Sequence, residues 1–279
     1  MPPARTTTMR QRRKRHSTHL RHSLPIATLA VAGFLNATVA CAAVHYTGEA
    51  TDRNGSVLYR ESHWLYQNNH VDTRLVLYTC PDGKAFARKT VWDRPNAQAP
   101  DFQFDDARDG FSEGVRSADD KRYVFVRALA NAPEQSAAFD TVGDAVADAG
   151  FDTFVRTHWD ALAATSALAI SFVVPSRLAP LGFSVRRIGD ERIDGREARR
   201  FRLVLARWYG GFLPHIDVVY DTATRNLLRY EGIGNIRGAD TRNLDVRIDF
   251  PANARSDGTS DADIAAATAT PLNGTCRLP

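Results

Sequence analysis

Five histidines lie beyond residue 43, at His45, His63, His70, His158 and His215, and the first three are close enough in sequence to raise the question of a metal site. Hairpin arithmetic answers it. Asn54-Gly55 is a dipeptide that supplies the positive φ angles of a two-residue turn, which sets Arg53 opposite Ser56, Tyr46 opposite His63 and His45 opposite Trp64. His45 and His63 then point to opposite sides of the hairpin, and no shared metal is expected unless a bulge shifts the register. Glu61 and His63, two apart, share a face and have the residue types of an acid–base pair, although an ordinary hydrogen bond is the plainer reading. His158, beside Trp159 in a segment of helical spacing, reads as a packing residue.

Other chemistry is hard to find. The chain has no Gly-x-Ser-x-Gly elbow, no His-Glu-x-x-His, no Gly-Lys-Ser/Thr phosphate loop and no Cys-x-x-Cys. Gly232-Ile233-Gly234 has the start of a dinucleotide fingerprint, but the third glycine falls at Gly238 and no helical pattern follows, so these glycines are read as bends or bulges in a strand. Asp105, Asp106 and Asp109 precede Gly110 without the spacing of a calcium loop and are taken as a solvated turn. Arg196, Arg200 and Arg202 share an outward face with Asp217 and Asp245, which favours a ladder of exposed ion pairs over an anion site. No catalytic residue, metal or cofactor is assigned. Two apolar connections stand out, Trp208 to Pro214 and Val173 to Phe183, because loops are normally polar. One reading makes Trp208, Tyr209, Phe212, Leu213, Leu178, Leu181 and Phe183, with Trp159, the rim of a site for a hydrophobic ligand; the other makes these residues core plugs.

The elements that must position these residues are mainly strands. Val44–Thr51 and Ser56–Tyr66 flank Asn54-Gly55, and Val71–Cys80 and Ala85–Trp92 flank Pro81-Asp82-Gly83-Lys84. Strands are also expected over Asp101–Ala107, Phe111–Arg116 and Lys121–Leu129. Between Asp140 and Thr165 the period becomes helical, with Gly150 ending one helix and Asp152 capping the next. Leu244, Val246, Ile248 and Phe250 then share one face of a strand while Asn243, Asp245, Arg247 and Asp249 share the other. Phe201, Leu203 and Leu205, and Ile216, Val218 and Tyr220, repeat the pattern. Strands with one wet and one dry face belong to antiparallel sheets. The expected architecture is mainly β with a helical insertion: a single strongly curved antiparallel sheet, an incomplete barrel, wrapped around the helices. A barrel closed on its own side chains is the other solution. Ala252 to Leu272 shows no periodicity, and 252–279 is read as a loose tail.

With 279 residues and 43% hydrophobic content, the chain has enough for a core and too much for a disordered protein. Met1 to Arg21 holds seven basic residues and no acid, and a nearly uncharged stretch from Leu24 to Val39 ends in Ala40-Cys41-Ala42-Ala43. Residues 1–43 are read as a signal peptide cleaved near Ala42 or Ala43, leaving the domain 44–251 and its tail in a periplasm or outside the cell. Lipidation of Cys41 is the lesser alternative, because Thr38-Val39-Ala40-Cys41 lacks the usual leucine. Cleavage leaves 29 basic against 32 acidic residues, a net charge of −3, so the basic balance belongs to the signal and nucleic-acid binding is disfavoured. Cys80 and Cys276 are then the remaining thiols, expected to pair in an oxidising compartment.

The one-sided strands, the helical insertion and the run from Val219 to Tyr230 (Val-Tyr-Asp-Thr-Ala-Thr-Arg-Asn-Leu-Leu-Arg-Tyr) resemble the periplasmic outer-membrane lipoprotein carriers over Tyr123 to Phe250. Phe151–Arg156 and Val174–Leu178 are similar to segments of uncharacterised exported bacterial proteins. The resemblance implies an incompletely closed barrel holding acyl chains beneath helical lids. The long N-terminal hairpins, the mid-chain helices and the two cysteines depart from that family, so cargo and partners do not carry over. The functional expectation is an exported binding or carrier protein for a lipid-like or apolar molecule, touching a membrane at most transiently. A structural or assembly protein of the cell envelope, or an enzyme using Glu61, His63 or His158, are the alternatives.

Overall fold

A computed structural model describes residues 43–140, 145–164, 167–206 and 215–279. The expected signal segment up to Ala42, Cys41 included, and the loop residues Trp208, Tyr209, Phe212 and Leu213 lie outside the described residues.

The first half is a run of antiparallel strands: β1 (Ala43–Thr51), β2 (Val57–Asn68), β3 (Val71–Thr79), β4 (Ala85–Trp92), β5 (Asp101–Asp106), β6 (Phe111–Ala118), β7 (Lys121–Arg127) and β8 (Gln135–Phe139). A short strand, β9 (Ala145–Val146), leads into helices α1 (Gly150–Thr157) and α2 (Trp159–Ala164). The second half returns to strands with β10 (Leu168–Val174), β11 (Ala179–Ile193), β12 (Arg196–Leu205), β13 (Ile216–Asp221), β14 (Leu227–Arg237) and β15 (Asn243–Asp249). β16 (Arg255–Thr259) and α3 (Asp261–Ala269) follow. All the strands belong to one curved sheet that does not close into a barrel. Its order runs from β8 back to β1, across to β15, and down to β9, with β16 paired to β1. Every pairing is antiparallel except that of β9 with β10.

The expected register of the first hairpin is present, by a route the sequence arithmetic did not contain. The loop is one residue longer than a two-residue turn, closed by Asp52 N to Ser56 O at 3.0 Å, and a register shift between Ala50 and Thr51 restores the pairing beyond it. Tyr46 therefore pairs with His63 and His45 with Trp64. Two one-residue departures cancel, and the two histidines lie on opposite faces. In β14, Gly232 adopts a φ of 139°, and the register breaks between Ile233 and Arg237. These glycines bend a strand.

The inner face is buried in three groups. Phe151, Phe154, Val155, Trp159 and Leu162 of the helices pack on Ile170, Val185, Phe201, Leu203, Val218 and Tyr220, so α1 and α2 cover the strands of the second half. The first half fills its own concavity with Tyr46, Tyr59, Tyr78, Phe86, Phe104 and Phe111, joined by Phe250. The two ends of the sheet meet through apolar side chains: Val124 and Phe139 from β7 and β8 share a cluster with Ala145 and Val173 from β9 and β10. This seam has side-chain contact where a closed barrel would have a backbone ladder.

Four expectations are corrected. Ala145 and Val146 form β9 instead of a helix, and Gly150 opens α1 instead of ending an earlier helix. The backbone approaches Gln98 here so closely that a Cβ on Gly150 would meet the Gln98 carbonyl oxygen at 2.0 Å, which explains the glycine without a cap. Asp152 does not cap α1; its carboxylate reaches Arg74 on β3 at 2.9 Å and Arg156 one turn on at 3.2 Å. The apolar stretch Val173 to Phe183 is a β10–β11 hairpin and not a loop, with Phe172 opposite Leu181 and Ile170 opposite Phe183. Segment 252–279 is not loose: Ser260 and Asp263 form a reciprocal capping box at the start of α3, and Cys276 is bonded to Cys80 with Cα atoms 5.7 Å apart.

The disulfide closes a loop spanning 196 positions, which constrains the unfolded chain strongly. Replacing both cysteines by serine is expected to leave the far-ultraviolet circular dichroism of the sheet intact and to lower stability in urea by about 2–5 kcal/mol. An unchanged urea midpoint would assign the anchoring of the C-terminal segment to its noncovalent contacts instead.

Candidate functional site

Strand alternation sends residues i and i+2 to one side of a sheet. On β2 this places Tyr59, Glu61, His63 and Leu65 in the inward phase; on β4, Ala87, Lys89 and Val91; on β6, Phe111, Glu113 and Val115. Each series carries a charged or titratable group where its neighbours are apolar. Following the ladder from strand to strand, Tyr46 pairs with His63, His63 with Val76, Val76 with Lys89, Lys89 with Phe104 and Phe104 with Glu113. His63, Lys89 and Glu113 thus stand in one row on alternate strands, about 10 Å apart at the usual strand spacing.

All three are buried, at 7%, 8% and 6% exposure, and each has a partner. His63 Nε2 lies 2.9 Å from Glu61 Oε2, with the ring stacked on Tyr46 at 4.5 Å and edge-on to Phe250. Burial holds the His63 pKa below its usual value, against the pull of Glu61, so the contact is a hydrogen bond of a neutral imidazole and not an ion pair. Its Nδ1 atom makes no hydrogen bond to the described residues. Lys89 Nζ donates to Asp148 Oδ1 at 2.9 Å and to Asn235 Oδ1 at 3.4 Å. Asn235 in turn donates through Nδ2 to Glu113 Oε1 at 3.1 Å. An amide joins a cation to a carboxyl here, using both of its polar ends. The chain Asp148–Lys89–Asn235–Glu113 crosses the interior from the entry to α1, through β4 and β14, to β6. A parallel tie joins Arg74 of β3 to Asp152 of α1.

Glu113 is the most perturbed carboxyl of the set. Burial pushes its pKa from 4.5 up to about 7; Asp148 adds to the rise, and Asn235, Lys89 and Arg237 oppose it. A buried acid titrating near neutrality can hold or release a proton under physiological conditions, which is the property general acids and bases share.

The residues expected to line a ligand site are dispersed. Trp159 is buried at 5% exposure, edge-on to Phe201 and Tyr220 and overlain by the Arg199 and Arg225 guanidiniums. Phe183 packs edge-on to Phe172 in the helical cluster, Leu178 packs on the seam, and Leu181 lies in the β11 ladder opposite Phe172. Trp208, Tyr209, Phe212 and Leu213 fall outside the described residues. On the outer face the arginine ladder is present: Arg202 reaches Asp217 at 2.7 Å, Arg200 reaches Glu191 at 2.7 Å, and Arg196 reaches Asp221 at 2.9 Å. Asp245 instead pairs with Arg53. The Asp106 carboxylate is taken by Arg108 at 3.0 Å and that of Asp109 by Arg237. His158 stacks on Phe154 and bonds its carbonyl at 3.0 Å.

Lys89, Glu113, Asn235 and Asp148 did not emerge from the motif search. The available signal was Ala87-x-Lys89-x-Val91 and Phe111-x-Glu113-x-Val115, a charge in the apolar phase of a strand.

Glu113 makes the linkage between pH and stability specific. Its folded carboxyl keeps a proton to a higher pH than the unfolded one, so the folded state binds more protons between about pH 4.5 and 7. Stability falls as pH rises through that window, by about 3 kcal/mol in total for this group. Glu113→Gln is expected to flatten the fall, raising the urea midpoint at pH 8 relative to the parent while changing it little at pH 4.5. Equal midpoints at both pH values would remove Glu113 as the source.

Thirteen solved chains match the fold. One is a beta-barrel-like protein of the domain of unknown function DUF1849 from Brucella abortus, with 8% identity, a TM-score of 0.47, and 77% of this chain and 97% of that chain covered. A DUF1329 family protein from Desulfovibrio piger has 11% identity and a TM-score of 0.28, covering 81% of this chain and 90% of its own. A domain assigned to outer membrane lipoprotein sorting, from Vibrio parahaemolyticus, has 11% identity and a TM-score of 0.20 over 81% of this chain and 90% of its own. No protein-family model and no curated protein matches the chain.

Proposed function

We propose that this is an exported binding or carrier protein that takes a lipid-like or apolar molecule against the inner face of its open sheet. The observation that carries this reading is the seam. The wall meets itself between β7–β8 and β9–β10 through apolar side chains, so it can part there without breaking a backbone ladder. An acyl chain entering such a surface gains about 0.8 kcal/mol per buried methylene, and this binding needs no conserved polar motif. The apolar residues Trp208, Tyr209, Phe212 and Leu213, with Leu178, Leu181 and Phe183, are the proposed contacts, and the Glu61–His63 and Lys89–Glu113 groups supply a polar end. The disulfide between Cys80 and Cys276 fits an oxidising compartment. Cleavage after Ala42 would leave β1, which begins at Ala43, whole.

A second reading, a structural or assembly protein of the cell envelope, draws support from the filled interior, where Tyr59, Tyr78, Phe86, Phe104 and Phe154 are each under 2% exposed. Native mass spectrometry of the mature protein, with uptake of a fluorescent fatty acid, separates the two. The carrier reading expects a bound mass beyond the polypeptide and saturable uptake; a bare polypeptide mass without uptake would favour the envelope role.

A further inference from the structure

We infer that the Lys89–Asp148 pair, with Asn235 and Glu113 behind it, is a proton-controlled latch holding the entry to α1 against the inner face of the sheet. Such a latch governs how the interior opens, whichever molecule the interior meets.

Asp148 enters α1 at a φ of 41°, a conformation that aspartate adopts more readily than most residues when hydrogen bonds hold its carboxylate. Two bonds do so: Lys89 on Oδ1 at 2.9 Å, and the next amide, Ala149 N, on Oδ2 at 2.7 Å. Only the first joins the Asp148 side chain to the sheet; Ala145 and Val146 pair through their backbones with Ser171 and Phe172 of β10, and Ala147 N donates to the Gln98 carbonyl at 3.0 Å. The groups facing Glu113 are Lys89 from β4, Tyr78 from β3, Asn235 and Arg237 from β14, and Asp148 itself. Its ladder partners on the flanking strands, Phe104 and Val126, are apolar. Arg237 is engaged by Asp109 and by the Ala128 carbonyl at 3.0 Å. Lys89 is therefore the cation that both Asp148 and Glu113 can draw on, one directly and the other across Asn235.

While Glu113 is protonated, Lys89 serves Asp148 alone and the local charges balance. Burial places the ionisation of Glu113 at about 7. Once it ionises, one ammonium stands between two buried carboxylates, and the contact through Asn235 already points Lys89 toward the new charge. The pull on Asp148 weakens, and the turn from Asp148 to Gly150 loses its side-chain tie to β4 while β9 keeps its pairing with β10. Arg74 and Asp152, joined at 2.9 Å, take no part in this exchange of partners, so α1 stays docked at its first turn while the turn before it loosens.

Hydrogen–deuterium exchange of the full mature protein, read at about pH 6 and pH 8 and corrected for the intrinsic rate, tests the latch. In the parent, protection over residues 148–151 is expected to fall by about tenfold between the two pH values, with β12 and β13 as unchanged references. In Glu113→Gln the fall should vanish, and in Lys89→Met protection should be low at both. Asp148→Asn, which removes the charge Lys89 holds, should also lose the pH dependence and serves if Glu113→Gln does not fold. An equal pH response in parent and variants, or none in the parent, would overturn the latch.

Discussion

A sheet with one dry face has to hide that face against something, and this chain offers little else to hide it against. Two short helices cover β10 to β13, and the other half of the sheet packs its own aromatics against Ile236, Val246, Ile248 and Phe250 from the end of the second half. Burial of apolar surface, at roughly 25 cal/mol for each Å² removed from water, therefore drives the sheet to curl until its halves face one another. The bend at Gly232, the broken register that follows and the meeting of β8 with β9 and β10 all answer that demand. The open seam follows from the same geometry: curling satisfies the side chains before it satisfies the backbone of the end strands.

An interior made this way should be apolar, and its charged groups have to be explained singly. Removing a charge from water is unfavourable unless it finds a partner, and the partners here come from elements distant in sequence. Lys89 needs Asp148, Arg74 needs Asp152, and Glu113 has the amide of Asn235, a shared lysine and the charge of Arg237, which Asp109 also engages. The electrostatic arrangement thus links the helices to the first half of the sheet, whereas their apolar packing links them to the second. Both halves are held to α1, by different forces with different dependence on pH.

Much of this was legible in the residues. Alternation in Leu244 to Phe250 and in Phe201 to Leu205 gave the dry face, and the Asn54-Gly55 turn gave the Tyr46–His63 pairing, although the loop and the bulge each departed by one residue. The cysteine pair followed from compartment reasoning alone. Helical spacing misled at Ala145 and Val146 because four apolar residues fit a helix and a buried strand equally well, and the deciding contact is the pairing with Ser171 and Phe172 of β10. The apolar run to Phe183 resembled a loop because proline and glycine interrupt a hairpin. α3 carries no amphipathic stripe, so its capping serine and aspartate were the signal to read. The charged row stayed hidden because each member is unremarkable on its own strand, and only the ladder brings them into line.

β1 has consequences for assembly. It lies between β2 on one side and β15 and β16 on the other, so as the chain emerges from its N-terminal side, β2 comes at once and the other two arrive some two hundred residues later. Pairings of such long sequence separation form slowly. Until they do, the outer edge of β1 is an open row of amides and carbonyls. The half-made molecule is then most exposed to joining the wrong strand, and the covalent bond from Cys276 back to Cys80 can seal only an arrangement already complete.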